Sequence, residues 1–189
     1  MQALEFQGSE GLIDFLDDAV RLGDVDDITA TIKKGLCRLI RAGEFTLPDC
    51  VSEPCQETYA RRLMYRSEEL GYTVVAMTWG PGQGTPLHDH DGQWCVEAVC
   101  HGEISVQQYE LLEQRDGRFW FEACDVIQAG VGTAGCLIPP HEYHRIFNTS
   151  KKDYAVSLHI YSGDMDHCKV YEPGADDWFE CECKSLSYY

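Results

Sequence analysis

The chain has 189 residues with 32 acidic and 15 basic side chains, which gives a net charge of −17 with histidine neutral. Its length and its 44% apolar content fit one globular domain over residues 1–189 with a packed core. The negative charge repels phosphate backbones and anionic membranes, and no apolar run approaches the ~18 residues of a spanning helix, so nucleic-acid and membrane functions are disfavoured.

Two amphipathic helices are predicted near the N-terminus, within residues 1–50. Apolar residues recur at helical spacing twice in this segment, first around Leu16 and then around Ile32. Asp24 can cap the second helix at its N-terminus, and Gly43 fits its C-terminal stop. We expect this helical segment to pack on the rest of the domain.

From about Tyr72 onwards, short runs of β-type composition replace the helical pattern. Many short strands without β-α-β alternation predict a mostly β protein, a sandwich or a barrel. The predicted strands are Tyr72–Thr78, Val96–Val99, Ile104–Tyr109, Arg118–Phe121, Gly135–Ile138 and Tyr154–Ile160. The last segment, 164–189, is acidic with weak periodicity, and it predicts a covering segment or a partly ordered tail.

Ten cysteines are an even number that suggests a disulfide framework. Such frameworks belong to small secreted domains with weak cores, whereas this chain is long enough for a full core. Its acidic N-terminus also lacks the basic start of a secretory signal. We therefore expect reduced thiols in a cytoplasmic protein, nine of them structural or incidental. The tenth, Cys95, belongs with the residues that follow.

The β region contains a candidate metal site. His88 and His90 flank Asp89, so on a strand both imidazoles would point to the same face. Alone, such a pair indicates a metal only weakly, since single histidines often only pack and hydrogen-bond. His144 is a third candidate, and three neutral imidazoles leave open positions on Fe²⁺ or Zn²⁺.

The spacing around these histidines resembles the two cupin motifs. The matching residues are Gly82, His88, His90, position 95 and Gly102 in the first motif and His144 and Asn148 in the second. Cupins usually have a glutamate ligand where this chain has Cys95, and they commonly have glycine where it has His141. The resemblance implies a small antiparallel β-barrel of jelly-roll type with the metal inside and N-terminal helices packed on it.

Four further matches are similar to the cysteine dioxygenases, the thiol dioxygenase branch of the cupins. The matching segments are Tyr59-Ala60-Arg61, Trp79-Gly80, Cys95 at seven residues after His88, and Ser157-Leu158-His159-Ile160-Tyr161. This resemblance runs from about 59 to 162, and the N-terminal helices suit it. A Ser-Pro usually follows the tyrosine, whereas Ser162-Gly163 follows here, which loosens the prediction of the pocket's outline.

The resemblance implies roles for the matching residues. The implied Fe²⁺ ligands are His88, His90 and His144. The implied substrate-binding residues are Arg61, which would hold a carboxylate, together with Tyr59 and Trp79. The implied catalytic residues are Ser157, His159, Tyr161 and Cys95. Of these, Tyr161 and Cys95 would form a thioether cross-link, and Ser157 and His159 would orient the Tyr161 hydroxyl.

Elementary chemistry agrees with these roles, although each has an alternative. A planar guanidinium matches a carboxylate in a bidentate way, and three neutral ligands leave the Fe²⁺ charge free to lower a thiol's pKa. Arg61 could instead be a surface charge, Tyr161 a barrel residue at the rim, and Cys95 an ordinary buried thiol. Although 32 acidic residues are available, none is needed at the metal.

The resemblance therefore implies a non-haem Fe(II) thiol dioxygenase that oxidises L-cysteine with O₂ to cysteine sulfinic acid. A second enzyme alternative oxidises another small carboxylate thiol such as 3-mercaptopropionate, but the branch known for that substrate commonly lacks the cysteine equivalent to Cys95. An alternative of another class is a non-catalytic metal-binding cupin, in which the metal only staples the barrel. We expect a monomer whose partners are the small thiol and O₂.

Overall fold

The computed structural model describes residues 5–174 and 176–189. The elements in these ranges are the helices α1 (Ser9–Val20) and α2 (Val25–Ala42), a 3₁₀ helix (Asp49–Ser52), and the strands β1 (Ala60–Ser67), β2 (Tyr72–Trp79), β3 (Leu87–His88), β4 (Cys95–His101), β5 (Glu103–Arg115), β6 (Arg118–Gly130), β7 (Ala134–Leu137), β8 (His144–Phe147), β9 (Ala155–Tyr161), β10 (His167–Pro173) and β11 (Phe179–Ser185). Neither helix has the length and apolar character needed to cross a bilayer.

The two helices begin and end where local chemistry directs them. The Asp24 carboxylate accepts hydrogen bonds from the backbone N–H groups of Asp26 and Asp27, at 3.0 and 3.1 Å, and so caps α2. Gly43 ends α2 in the left-handed region at a φ of 65°, which glycine adopts without a steric penalty. The apolar faces of both helices, including Leu16 and Ile32, are fully buried against one face of a β-sheet.

Gly35 is the contact point between the two helices, because a Cβ at this position would overlap the Phe15 ring. We expect Gly35→Ala to lower the free energy of unfolding by ~1–3 kcal/mol through overpacking. Gly11→Ala is the matched control, since Gly11 is exposed in α1 and a Cβ there meets nothing within 4 Å. The control should stabilise the protein by ~0.5–1 kcal/mol. Denaturant unfolding of both variants checks the pair, and equal shifts would contradict it.

The strands form two antiparallel sheets that face each other. The first sheet has the order β1-β2-β9-β4-β7. The second has the order β10-β11-β6-β5-β8-β3, and β3 also pairs with β10. Apolar side chains from both sheets, such as Val75 and Ile146, share one buried cluster between them. The predicted cupin-type jelly roll, mostly β with N-terminal helices, is confirmed.

Side chains alternate between the two faces of the first sheet, so that one face packs on the helices and the other faces the second sheet. Val74, Val96 and Ile160 belong to the cluster that contains the helices, whereas their neighbours Val75, Cys95 and Tyr161 belong to the cluster between the sheets. Because both faces are covered, every residue of β2 and of β9 is buried. The odd-numbered residues of β9, including the predicted Ser157, His159 and Tyr161, therefore point into the space between the sheets.

The second sheet departs most from the sequence-based expectation. Strands β5 and β6 form a hairpin of 13 residues each, much longer than the predicted Ile104–Tyr109 and Arg118–Phe121. The prediction of a covering segment or tail for 164–189 misses β10 and β11, which are integral strands of this sheet. Strand β11 gave no signal because six of its seven residues are exposed, so no apolar alternation marks it.

Candidate metal centre

Three histidine side chains converge between the sheets. His88 on β3 and His144 on β8 are directly opposite in the ladder, and their Nε2 atoms are 3.2 Å apart. His90 lies just beyond the end of β3, and one nitrogen from each of the three rings lies within 4.8 Å of the others. With metal–nitrogen bonds of ~2.1 Å, two ligands on one ion are ~3.0–3.4 Å apart. The His88–His144 spacing therefore fits two imidazoles that share one ion.

The protonation state of the three rings also suits a metal. Burial lowers the pKa of His88, and burial together with repulsion between the rings lowers the pKa of His90 and His144 well below the usual value. Neutral imidazole is the form that ligates metals. A hydrogen bond also orients the His88 ring, because its Nδ1 lies 3.1 Å from the Pro86 carbonyl oxygen. Its Nε2 is thereby directed towards the other two rings.

A hydrogen-bonded row on β2 and β9 leads to Tyr161. The Trp79 indole N–H donates to the Ser157 Oγ at 2.8 Å, and Ser157 Oγ lies 2.7 Å from His159 Nε2. Because indole can only donate, Ser157 is free to donate its own proton to His159 Nε2. The proton of the neutral His159 ring then resides on Nδ1, 3.4 Å from the Tyr161 hydroxyl. Burial and the nearby Arg61 charge lower the pKa of His159 to about 3, which keeps the ring neutral.

Cys95 and Tyr161 are directly opposite each other on β4 and β9. Both are fully buried, and the Cys95 Sγ lies 3.9 Å from His159 Nδ1. The Tyr161 ring contacts His90 edge to face, with 5.6 Å between centroids. Burial raises the pKa of both Cys95 and Tyr161 well above their usual values, so thiol and phenol are protonated beside the histidines.

Arg61 lines a cavity of about 220 Å³. It is 5% exposed, so the surface-charge alternative is wrong. Its Nη2 donates to the Met165 carbonyl at 2.8 Å, whereas its buried Nε and Nη1 have no partner among the described residues. The cavity is also lined by Tyr59, Trp79, His88, His144, His159 and Tyr161. The Tyr59 ring stacks on Trp79, with centroids 4.7 Å apart.

Residues near the C-terminus lie beside Arg61 and the cavity. The Tyr188 ring stacks over the Arg61 guanidinium at 5.1 Å, and its hydroxyl donates to Asp164 at 2.6 Å. Lys184 and Leu186 contribute to the lining. Gly163, where the family has proline, accepts a hydrogen bond from Thr73 Oγ1 at 2.7 Å. The cavity is thus lined both by cationic side chains and by imidazoles.

Glu97 was missed by the sequence reasoning. It is 6% exposed, with Oε1 3.9 Å from His144 Nδ1 and Oε2 3.7 Å from His159 Nδ1. Burial raises the pKa of its carboxyl group to about 8. Glu97 is not a member of the group of three histidines that could hold a metal, but it lies beside one of them. A local signal was available, because Glu97 is two residues from Cys95 and must share its strand face.

Three other histidines lie outside the centre. His141 is exposed, which resolves the ambiguity over His144 in the second motif. His101 is exposed and stacks on Tyr154 at 4.5 Å between centroids. His167 is exposed and pairs with Asp91 at 3.0 Å, and its hydrogen bond to Asp166, together with the Asp91 charge, raises the pKa of its imidazole.

Several known proteins are similar to this chain in sequence or in structure. Cysteine dioxygenase type 1 from Rattus norvegicus and from Homo sapiens are each 24% identical over 125 residues, which are 62% of this chain and 57% of each relative. The chain thus spans little more than half the length of these curated relatives. Among solved structures, a double-stranded β-helix protein from Klebsiella pneumoniae has a TM-score of 0.46 at 18% identity, over 62% of this chain and 88% of its own. A cupin 2 domain-containing protein from Halorhodospira halophila has a TM-score of 0.45 at 22% identity, over 62% and 70%.

The family comparison covers the residues that build the centre. The family model "Cysteine dioxygenase type I" matches residues 55–173. This range is more than half of the chain, and it includes Arg61, the three histidines and Tyr161. The chain belongs to the cysteine dioxygenase type I family.

Proposed function

We propose that the protein is a non-haem Fe(II) thiol dioxygenase that oxidises L-cysteine with O₂ to cysteine sulfinic acid. One observation carries the proposal: the His88 and His144 rings and the half-paired Arg61 guanidinium line the same small cavity. A thiol whose carboxylate binds Arg61 would have its other end near the imidazoles. Membership of the family and the names of the curated relatives support cysteine as that thiol.

The three neutral imidazoles fit a divalent metal with open coordination positions, as in non-haem iron sites. His88, His90 and His144 would hold the ion. A bound Fe²⁺ would supply the electron transfer to O₂ and the charge that lowers the pKa of the substrate thiol. Imidazole also suits zinc and nickel, so metal analysis is part of the test below.

Arg61 would orient the substrate. Its Nη2 already donates to the Met165 carbonyl, and its Nε–H and Nη1–H groups have no partner among the described residues. Such a free guanidinium N–H group can donate a charge-assisted hydrogen bond to a carboxylate oxygen. The substrate would therefore enter with its carboxylate towards β1 and its thiol towards β3 and β8. Such fixed positioning is a large part of the advantage of a bound over a free reaction.

Tyr161 would donate a hydrogen bond into the cavity. His159 directs its Nδ1 proton at the phenol oxygen, so the phenol's own proton is free for another acceptor. The raised pKa of Tyr161 keeps that proton in place at neutral pH. An oxygen of the nascent sulfinate is the acceptor that we propose. Trp79 would act through Ser157 to fix the tautomer of His159. The resemblance implied only a substrate-binding role for Trp79.

The test is O₂ uptake by the Fe(II)-loaded protein with L-cysteine, 3-mercaptopropionate and cysteamine, together with metal analysis. We expect L-cysteine to be the best substrate, with one O₂ consumed per sulfinate formed. Cysteamine has no carboxylate for Arg61 and should be slow. Faster turnover of 3-mercaptopropionate would favour the second enzyme alternative. No uptake with any of the three thiols would leave the non-catalytic cupin.

The cross-strand pairing of Cys95 with Tyr161 favours a thioether bond. Its formation joins Sγ to a ring carbon and breaks one S–H and one C–H bond, and the two protons and two electrons released reduce O₂ to hydrogen peroxide. After incubation with iron, L-cysteine and O₂, we expect an intact mass two hydrogens lighter, mapped to the peptides that contain these residues. Cys95→Ser is the control and should keep its mass. Unmodified peptides after turnover would contradict the cross-link and leave the dioxygenase proposal intact.

A further inference from the structure

The His144 ring needs a hydrogen-bond acceptor for its Nδ1 proton, and the metal site does not supply one. Its Nε2 faces His88 Nε2 at 3.2 Å, on the side where an ion would be shared. In a neutral ring that ligates through Nε2, the proton is on Nδ1. His88 satisfies the same requirement through the Pro86 carbonyl, 3.1 Å from its Nδ1. The Nδ1 proton of His144 needs an acceptor of its own.

The nearest carboxylate to that proton belongs to Glu97. Among the residues that the structure describes, the buried His144 Nδ1 has no hydrogen-bond partner, and Glu97 Oε1 lies 3.9 Å from it. Glu97 Oε2 is also buried without a partner in these ranges. A separation of 3.9 Å is too long for a hydrogen bond, and a shift of ~1 Å would form one. Leaving a buried donor and a buried acceptor apart costs the desolvation of both.

The surroundings of Glu97 give it room for that shift. On one side it is directly opposite His159 on β9, and on the other it is opposite Gly135 on β7. Because residue 135 has no side chain, the Glu97 carboxylate meets no bulk there. Even a Cβ on Gly135 would stand 3.8 Å from Oε1, an ordinary contact. A second cavity of about 400 Å³, lined by Glu97 and by β5, β6 and β7, adjoins it.

We propose that Glu97 is a positioning residue for the metal site, accepting the Nδ1–H of His144 and so presenting Nε2 of that ring to the ion. The inference rests on the proposed function, since it assumes a metal bound by the three histidines. Carboxylates in this place fix the ring orientation and raise the basicity of the ligand nitrogen. Cupins usually have a carboxylate ligand at position 95. In this chain the carboxyl group of Glu97 would instead contact the far nitrogen of a ligand, His144 Nδ1.

The same carboxylate spans two functional rings. Its Oε2 lies 3.7 Å from His159 Nδ1, whose own neighbour is the Tyr161 hydroxyl at 3.4 Å. Movement of Glu97 towards His144 would leave the His159 proton to Tyr161 alone. The proposed metal ligand His144 and the tyrosine row thus share one neighbouring side chain, and replacing its carboxyl group should first weaken metal binding.

The test is titration of the purified metal-free protein with Co²⁺, followed by its visible spectrum. We expect Glu97→Gln to weaken Co²⁺ binding by about 10- to 100-fold, the usual effect of removing such a partner, and Glu97→Asp to recover part of it. Glu142→Gln is the matched control. Glu142 is also a buried glutamate with an unpartnered oxygen in the described residues, but its charged neighbours are Asp89, His141 and Lys169. The Co²⁺ affinity of the Glu142→Gln protein should equal that of the parent.

A second measurement separates positioning from a merely structural role. Without metal, Glu97→Gln should melt at the same temperature or higher, because the substitution removes an unpaired buried carboxylate. Parental Co²⁺ affinity in Glu97→Gln, or an equal loss in Glu142→Gln, would overturn the inference. If instead His90→Ala binds Co²⁺ as the parent does, the metal site proposed at the three histidines fails, and that outcome is distinct from a failure of Glu97 alone.

Discussion

Replacing His90 by alanine is expected to abolish thiol-dependent O₂ uptake and to weaken metal binding by about 100-fold. A four-ligand site contributes ~10–16 kcal/mol, so one imidazole contributes about 3 kcal/mol, which corresponds to that factor. Among the three histidines, His90 gives the most informative substitution because its ring contacts both His144 and Tyr161. Its ring centroid lies 4.9 Å from that of His144 and 5.6 Å from that of Tyr161. Its loss disturbs the ion and the tyrosine row together. Co²⁺ titration and an oxygen electrode measure the two effects separately.

His101→Ala is the matched control for this experiment. Its ring is exposed and stacks on Tyr154, so metal affinity and O₂ uptake should both be retained. A His90→Ala protein that still binds metal with the parent's affinity would rule out the assignment of His90 as a ligand. It would also weaken the dioxygenase proposal, because two imidazoles would then suffice.

Replacing Arg61 by alanine is expected to lower kcat/KM for L-cysteine by about 30- to 150-fold, or ~2–3 kcal/mol, through loss of a charge-assisted contact. The Met165 carbonyl and the Tyr188 ring hold the guanidinium in place before the substrate arrives. Arg61→Lys keeps the positive charge without the planar guanidinium, and it should lie between the parent and the alanine variant. Turnover of cysteamine should change little, since it has no carboxylate. Steady-state O₂ uptake with both thiols measures this difference.

Arg62→Lys is the control, because the neighbouring arginine is equally buried and points to the other face of β1. It donates to Thr78 Oγ1 at 3.0 Å and to the Glu53 carbonyl at 2.8 Å, so it is fully engaged outside the cavity. Its replacement should lower the stability of the protein and leave KM for L-cysteine unchanged. An Arg61→Ala enzyme with the parent's KM for L-cysteine would contradict the carboxylate-binding role.

The parts of the site that could be predicted are those set by local spacing. Alternation on one strand is enough to put Ser157, His159 and Tyr161 on one face, and the motif spacing is enough to bring His88 and His90 together. The capping of α2 by Asp24 is likewise a property of neighbouring residues. Each of these predictions needs only a few consecutive residues and no knowledge of which strands pair.

The parts that were missed depend on which strands become neighbours. Glu97 approaches His144 and His159 only because β4 lies beside β9 in one sheet while β8 faces it from the other. Strand β1 was not predicted because two consecutive arginines are typical of a surface segment, although both are buried here. Tyr188 reaches Arg61 through the β10–β11 hairpin, whose exposed second strand carries no apolar alternation. Such contacts are properties of the topology.

A bond between Cys95 and Tyr161 would join two strands in the middle of the first sheet. It would close a loop of about 65 residues, and the chain-entropy estimate for cross-links of that size is a stabilisation of roughly 4 kcal/mol. Molecules that have turned over would then unfold more slowly than newly synthesised ones. A single preparation would contain two populations with separate melting transitions, and their ratio would record how much of the protein had already worked.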